Sequence, residues 1–524
     1  MAQSDNKKYK LLLINPKQKY VNFYAQTELA RILRKKKFMI PLSLPLIAAL
    51  TPSHFDISIV DEEMESIPDG DLPDIVGITT LASTARRTYE ICDFYRSKGV
   101  PVVVGGPYVS FLPDEALQHA TSVISGEAEG IWQQCLADFE SGELKPLYRN
   151  SEYCSYKTSP APRWDLVDTH NIFQLGVQVS RGCPYKCEFC VVTKMFGHKM
   201  RYRELDDVMK ELESLPLRRV FFIDDNFTVN KKYIRELCER IIPLDFSWAC
   251  MASIEIADDR ELLDLMARAG CFNILIGFES LNPESLAETH KKHNHSATGY
   301  NEAVRKIHEA GIHITASFAV GFDNDTLDEF DNILEFTTAT GLSYLNMNLL
   351  GAPPGSELFY RLEEEGRWFN IPADYRSGLF PCIHYMNVSQ KDLFMKYIDT
   401  AEAAYSWKVV SEKIPLLFGN GKFLRPYGGE QLSVGIRFRF IRILFGELLF
   451  TLNKYKRRAL WRTIQLMAQN KLAKDKGFSY LLSMMSYNRH IKSIRNNMAE
   501  YLGIIDKYDK GPWAEMTEQE RRTG

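Results

Sequence analysis

The stretch Ser180-Arg-Gly-Cys-Pro-Tyr-Lys-Cys-Glu-Phe-Cys190 sets three cysteines, Cys183, Cys187 and Cys190, in C-x3-C-x2-C spacing. It directly follows an apolar run, Phe173 to Val179, that reads as a strand. Three thiolates on one tight loop suit an iron–sulfur cluster, and no fourth cysteine follows nearby to close an all-thiolate site. Three ligands on a four-iron cluster leave one iron open, and an open metal position is where chemistry takes place. The structural alternative is a zinc loop, but such loops come as paired C-x2-C knuckles.

Downstream of the loop, strand-like and helix-like stretches alternate. A helix is expected over Glu204–Leu215, then a strand Arg219–Ile223 running into Asp224-Asp225-Asn226. Helix Lys231–Ile241 precedes strands Phe246–Cys250 and Met251–Glu255, and helix Arg260–Ala269 precedes strand Phe272–Gly277 and Phe278-Glu279-Ser280. Helix Ala297–Ala310, strand Ile314–Gly321 with Phe322-Asp323, helix Leu327–Thr340 and strand Tyr344–Leu350 complete the series. Repeated strand–helix units predict a partial or full β/α barrel, whose reactive groups lie at the carboxyl ends of the strands. The cysteine loop, Asp224-Asp225-Asn226, Glu255, Glu279 and Asp323 all fall there. A lone acid at such a place is more often a helix cap; acids at several strand ends of one barrel point to a site. His290, His293 and His295, beside Lys291 and Lys292, read as a solvated polar loop rather than a metal trio.

Upstream, residues 1–150 alternate in the same way. Strands are expected at Tyr9–Asn15, Ile57–Asp61, Ile75–Thr80, Val100–Gly106 and Ser122–Ser125. Helices are expected at Leu42–Leu50, Ala82–Lys98 and Ile131–Glu140, which together predict a doubly wound, Rossmann-type parallel sheet. Ligands of such sheets bind beyond the carboxyl strand ends. Here those ends carry Thr79, Gly105, Gly106, Gly126 and Glu127, small or hydroxyl-bearing residues that let a bulky cofactor approach the backbone. No G-x-G-x-x-G follows the first strand, which argues against a dinucleotide. Ser159-Pro-Ala-Pro-Arg-Trp164 marks a connector, giving expected divisions at 1–150, 151–170 (linker), 171–370 (barrel) and 371–524 (mostly helical).

At 524 residues the chain is too long for one core, and 45% apolar with 25% charged residues is ordinary for a globular protein. A net charge of −3 gives no pull towards nucleic acid. No long apolar run or signal core is seen, and the ten sparse cysteines do not form a disulfide scaffold, so a cytoplasmic protein with reduced thiols is expected. After Asn370 basic and bulky apolar residues intermix, as in Arg437-Phe-Arg-Phe440, Arg442 and Tyr455–Gln469. Peripheral contact with an anionic lipid surface, or with a greasy substrate, is one reading; a helical cap with a basic face is the other. Met516–Gly524 reads as a frayed tail.

The cysteine loop, with aromatic Phe189 just before the third cysteine, resembles that of the radical S-adenosylmethionine (SAM) enzymes. The resemblance implies a [4Fe-4S] cluster on Cys183, Cys187 and Cys190, SAM on its open iron, and SAM contacts from Phe189, Asp225, Glu255 and Glu279. The Gly105-Gly106-Pro107 and Ser125-Gly-Glu-Ala-Glu-Gly130 pieces resemble the cobalamin-binding domain joined to many of these enzymes. That implies cobalamin at Thr79, Gly105, Gly106, Gly126 and Glu127. The D-x-H-x-x-G motif is absent, so no protein histidine would sit on cobalt. Gly321-Phe-Asp323, Ala352-Pro-Pro-Gly-Ser356, Arg361–Arg367 and Ala459-Leu-Trp-Arg462 are similar to the branch with hopanoid C-methylases and bacteriochlorophyllide C-methyltransferases. The resemblance implies radical C-methylation of an unactivated carbon on a lipophilic polycycle, a bacteriochlorophyllide-type tetrapyrrole before a hopanoid. It also implies a reductant such as flavodoxin or ferredoxin. An oxidative cyclase, or another radical SAM enzyme that transfers no methyl, is the alternative; a methylthiotransferase would need a second cluster, for which Cys92, Cys135 and Cys154 lack ligand-like spacing.

Overall fold

The computed structural model describes residues 8–510 and 513, except 21–26, 151, 158, 290, 292–298, 370, 377, 420–422, 424–441, 443–445 and 447–450. The histidines at 290, 293 and 295, the Arg437–Phe440 stretch and the tail from 516 lie outside the described residues.

Two parallel six-stranded sheets organise the chain. The first comprises β1 (Tyr9–Asn15), β2 (Phe55–Asp61), β3 (Ile75–Thr79), β4 (Val102–Gly105), β5 (Ser122–Ser125) and β6 (Leu147–Arg149) in the order β2-β1-β3-β4-β5-β6. Its strands are short apolar runs because both faces are covered. Helix Ala85–Ser97 packs Ile91, Cys92 and Tyr95 on one face, and helices Ser43–Leu50 and Trp132–Ser141 pack Leu44, Trp132 and Leu136 on the other. The order reverses between β1 and β3, and the crevice at that switch point is where doubly wound sheets take ligands. β6 has only three residues, two of them exposed, too few to show a periodic signal in the sequence.

The second sheet takes β7 (Leu175–Val177), then, beyond the small antiparallel pair β8 (Ser180–Arg181) and β9 (Arg201–Tyr202), β10 (Arg219–Phe222), β11 (Ser247–Ala252), β12 (Cys271–Glu279), β13 (His313–Val320) and β14 (Tyr344–Leu349). The order β14-β13-β12-β11-β10-β7 is sequential, and β14 does not pair with β7: the sheet is an open, partial β/α barrel. The two strands expected across Phe246–Glu255 are one, β11, followed by a 3₁₀ segment, Ile254–Asp258. Ser253 leaves the ladder there, so Glu255 sits beyond the strand rather than in it.

Helices Gln390–Ala404, Trp407–Phe418, Lys454–Ala468, Lys474–Asn496 and Met498–Tyr508 form the C-terminal region. Their apolar residues, among them Phe394, Tyr397, Ile414, Leu460 and Tyr480, join the same continuous core as the barrel strands. Among the described residues no helix is long and apolar enough to cross a membrane.

Candidate functional site: two adjoining cavities at the carboxyl ends of the sheets

A cavity of about 600 Å³ opens at the carboxyl ends of the barrel strands. Cys183, Cys187 and Cys190 all line it, with Phe189, Asp225 and Glu279. Burial pushes the Cys187 thiol up to about 12 and the Cys190 thiol to about 11. Thiols this reluctant to ionise become thiolates when a bound cation displaces their protons, as metal binding does. Among the described residues no three His, Cys, Asp or Glu side chains close around a single metal ion. The three thiols instead share one cavity wall, a donor set suited to a larger cluster.

The loop that carries them is pinned on every side. Buried Asp224, at the end of β10, accepts hydrogen bonds from the Val179 N–H (3.2 Å), from the Ser180 N–H and from Ser180 Oγ (2.6 Å). Tyr185 donates its hydroxyl to Glu255 at 2.7 Å, and Glu188 takes the Arg361 Nε at 2.7 Å. Arg361 and Arg367 also hold Asp323, whose carboxyl they draw below its ordinary range against the effect of burial. Glu255 and Asp323 therefore do not line the cavity; each is spent on an ion pair or hydrogen bond that fixes the surrounding frame.

Asp225 and Glu279 do face the cavity. Burial, with Asp224 alongside, pushes the Asp225 carboxyl up to about 7. Asp225 Oδ2 and the Oδ1 of neighbouring Asn226 are buried and have no partner among the described residues, so both are open to a ligand's donors. Glu279 stands at φ +62°, a left-handed conformation that a glutamate rarely adopts, and its Oε1 accepts from Lys291 Nζ at 2.7 Å. The pair fits because residue 277 is glycine: a Cβ there would lie 2.2 Å from Glu279 Oε1 and 2.7 Å from Lys291 Nζ. Lys291 was not singled out from the sequence as a site residue. Asn226 was marked by its Asp-Asp-Asn run at a strand end, whereas Lys291 reaches the site from a loop without such a signal.

A second cavity, of about 370 Å³, lies at the carboxyl ends of the first sheet. Thr79, Gly105, Gly106, Gly126 and Glu127 all line it. Three of the five are glycines, and at Gly126 a Cβ would meet no heavy atom within 4 Å, so the backbone lies bare to the cavity. Among the described residues no histidine lines it. The described residues therefore fit a flat, bulky group held by backbone and shape, such as a corrinoid. Glu127 contributes differently: its carboxylate is bound by Arg181 (2.9 Å) and Arg201 (2.9 Å) and accepts from the Cys154 N–H at 3.0 Å. The two cavities adjoin, sharing Leu81 and Pro107.

The Radical SAM superfamily model matches residues 177–337, the span of the barrel from β7 to the helix before β14. The chain is 30% identical over 383 residues to bacteriochlorophyllide d C-12(1)-methyltransferase of Chlorobaculum tepidum, covering 71% of this chain and 82% of that protein. It is 29% identical to hopanoid C-2 methylase of Rhodopseudomonas palustris, covering 63% of this chain and 65% of that protein. Its fold is similar to that of the radical SAM methyltransferase TsrM from Kitasatospora setae, solved with cobalamin and a [4Fe-4S] cluster. The TM-score is 0.57 at 15% identity, over 93% of this chain and 99% of that one. A cysteine loop at the mouth of an open barrel, together with this identity and coverage, establishes that the chain belongs to the radical SAM family, on the branch of the bacteriochlorophyllide and hopanoid C-methyltransferases.

Proposed function

We propose that this protein is a cobalamin-dependent radical SAM C-methyltransferase acting on an unactivated carbon of a lipophilic polycycle, a bacteriochlorophyllide-type tetrapyrrole side chain. The observation that carries this reading is the junction of the two cavities at Leu81 and Pro107, one ringed by thiols and the other by bare strand ends. Cys183, Cys187 and Cys190 would hold the [4Fe-4S] cluster, and the first-sheet strand ends would hold cobalamin. When bound, cluster and SAM supply a hydrogen-abstracting radical and cobalamin supplies a carried methyl group.

The chain's own residues bind and enclose. Asp225 Oδ2 and Asn226 Oδ1 offer acceptors for the amino and hydroxyl donors of SAM, and the Glu279–Lys291 pair lends polarity without net charge. The segment Leu350–Pro354 and Trp368 wall the cavity with apolar surface, keeping water from a reactive centre. An unactivated C–H bond has no useful acidity, so no general base is required at the reacting carbon. We place the divisions of the chain at 1–150, 171–370 and 371–524, with a linker between the first two.

Anaerobic reconstitution with iron, sulfide and hydroxocobalamin, followed by turnover with methyl-labelled SAM and bacteriochlorophyllide, tests the proposal. The product should gain the labelled methyl. A protein that shows cluster absorbance yet retains no corrinoid would defeat the methyltransferase reading, and labelling of a hopanoid alone would defeat the tetrapyrrole assignment.

A further inference from the structure

Among the described residues, four charged side chains line the cavity around the cysteines: Asp225, Glu279, Lys291 and Arg376. Glu279 and Lys291 neutralise each other, and Asp225 lies beside Cys183 and Cys190. Arg376 is the cation left over. It follows the 3₁₀ turn Ala373–Tyr375, whose Ala373 packs against the core of the first sheet. The guanidinium is stacked over the Trp368 ring, 4.5 Å from its centroid, and Nε donates to the Ile371 carbonyl at 3.1 Å. These two contacts fix the plane of the fork and occupy one of its nitrogens. Among the described residues no carboxylate pairs with the other two.

Apolar and aromatic side chains share the cavity with Arg376, and the Trp368 ring lies against its guanidinium. Trp368, Tyr108, Phe111, Leu81 and Cys382 line the same cavity, and the Tyr108 hydroxyl is turned to Glu115 instead. A half-buried cation among such walls is costly without a counter-charge, and a planar, pre-oriented guanidinium matches a carboxylate through two parallel N–H···O bonds. We infer that Arg376 is a substrate-anchoring residue that binds a carboxylate on an otherwise apolar substrate. This inference rests on the proposed methyltransferase site and narrows its substrate class. A tetrapyrrole acid with a free propionate meets the requirement; a neutral hopanoid hydrocarbon does not.

The test uses the full-length, anaerobically reconstituted protein with two probes, bacteriochlorophyllide as the free acid and its propionate methyl ester. Binding is followed by tetrapyrrole fluorescence and methyl transfer by product mass. The wild-type protein should bind the acid roughly 10- to 100-fold more tightly than the ester, the range of a hydrogen-bonded charge pair. Arg376→Gln should bind the acid no better than the ester, and Arg376→Lys should recover part of the preference. Equal wild-type affinities, no binding of either probe, or an acid preference that survives in Arg376→Gln would each overturn the inference. SAM affinity, measured separately, identifies the anion: a parallel fall in SAM affinity in Arg376→Gln means the carboxylate is that of SAM, and overturns it too. An Arg376-dependent preference for the acid without methyl transfer to either probe would uphold the anchor and defeat the methyltransferase reading.

Discussion

Glu127, just past the end of β5, and Arg181, the residue before Gly182-Cys183, form a 2.9 Å salt bridge with side chains only 2% and 7% exposed. The bridge ties the first sheet to the root of the cysteine loop across 54 residues of sequence. Arg201 on β9 closes on the same carboxylate, and Glu129 takes the second arm of Arg181 at 2.6 Å.

Removing the carboxylate takes one partner from each of two guanidinium groups, the buried Arg181 and the half-buried Arg201. Glu127→Ala should cost about 3 kcal/mol, the lower end for breaking a buried pair, because Glu129 still holds Arg181. Denaturant unfolding measures the loss. An unchanged midpoint with full iron content would show that the bridge neither stabilises the fold nor seats the loop.

Each of the three thiols faces the cavity, so each is expected to be indispensable. Cys187→Ala, reconstituted anaerobically, should lose most of its iron and its ability to cleave SAM. A variant that keeps both would mean that the cluster is bound elsewhere.

Gly106 and Gly126 separate two ways of spoiling the first-sheet cavity. Gly106 has φ +112°, and a Cβ would lie 2.6 Å from the Thr80 carbonyl oxygen and 2.8 Å from its nitrogen. Backbone must move, and Gly106→Ala should lower stability by roughly 1–3 kcal/mol. At Gly126 the added methyl meets only open space, though at φ +93°. Gly126→Ala should therefore cost less stability while still reducing hydroxocobalamin retention. Comparing thermal midpoints with bound corrinoid, measured from absorbance after gel filtration, distinguishes the two; full retention in both variants would place the corrinoid elsewhere.

Lys413 lies buried in helix Trp407–Phe418, where desolvation pulls its ammonium down to about 7. His308, also buried, is held down to about 3 by burial and by Lys413. The unfolded chain keeps its lysine protonated up to about 10.4, so between those values the unfolded state binds the extra proton. Stability should thus rise with pH above 7, and the penalty is complete below it. Lys413→Met removes the penalty. Its stabilisation should be largest at pH 7 and below and should shrink by pH 9, as read from unfolding curves at both values. An advantage independent of pH would show that packing, not charge, is responsible.

Much of the architecture was legible because it is local. Apolar runs of four to seven residues, punctuated by glycine and proline, marked five of the first six strands within a few residues of their bounds. The cysteine spacing located the reactive loop, since a cluster's ligands must lie close in sequence to share one turn. β6 was missed because three residues carry no periodicity, and β11 was split because Ser253 and the 3₁₀ turn after it continue the apolar pattern beyond the ladder.

The division of labour among the acids was not legible. Asp225, Glu255, Glu279 and Asp323 all stand at or just beyond the ends of barrel strands, yet among them only Asp225 and Glu279 face the cavity. Glu255 is turned to Tyr185 and Asp323 to Arg361 and Arg367, partners 70, 38 and 44 residues away. Sequence by itself determined which segments become strands, which helices cover them, and which three thiols stand together, because backbone propensity, apolar periodicity and short ligand spacing are properties of neighbouring residues. Only the tertiary structure decided that the two cavities meet at Leu81 and Pro107, that Glu127 clasps Arg181, and that Arg376 stands over Trp368 with its fork unpaired among the described residues. Those relations depend on which distant side chains burial brings within hydrogen-bonding reach, and a buried charge takes whatever partner the packing leaves beside it.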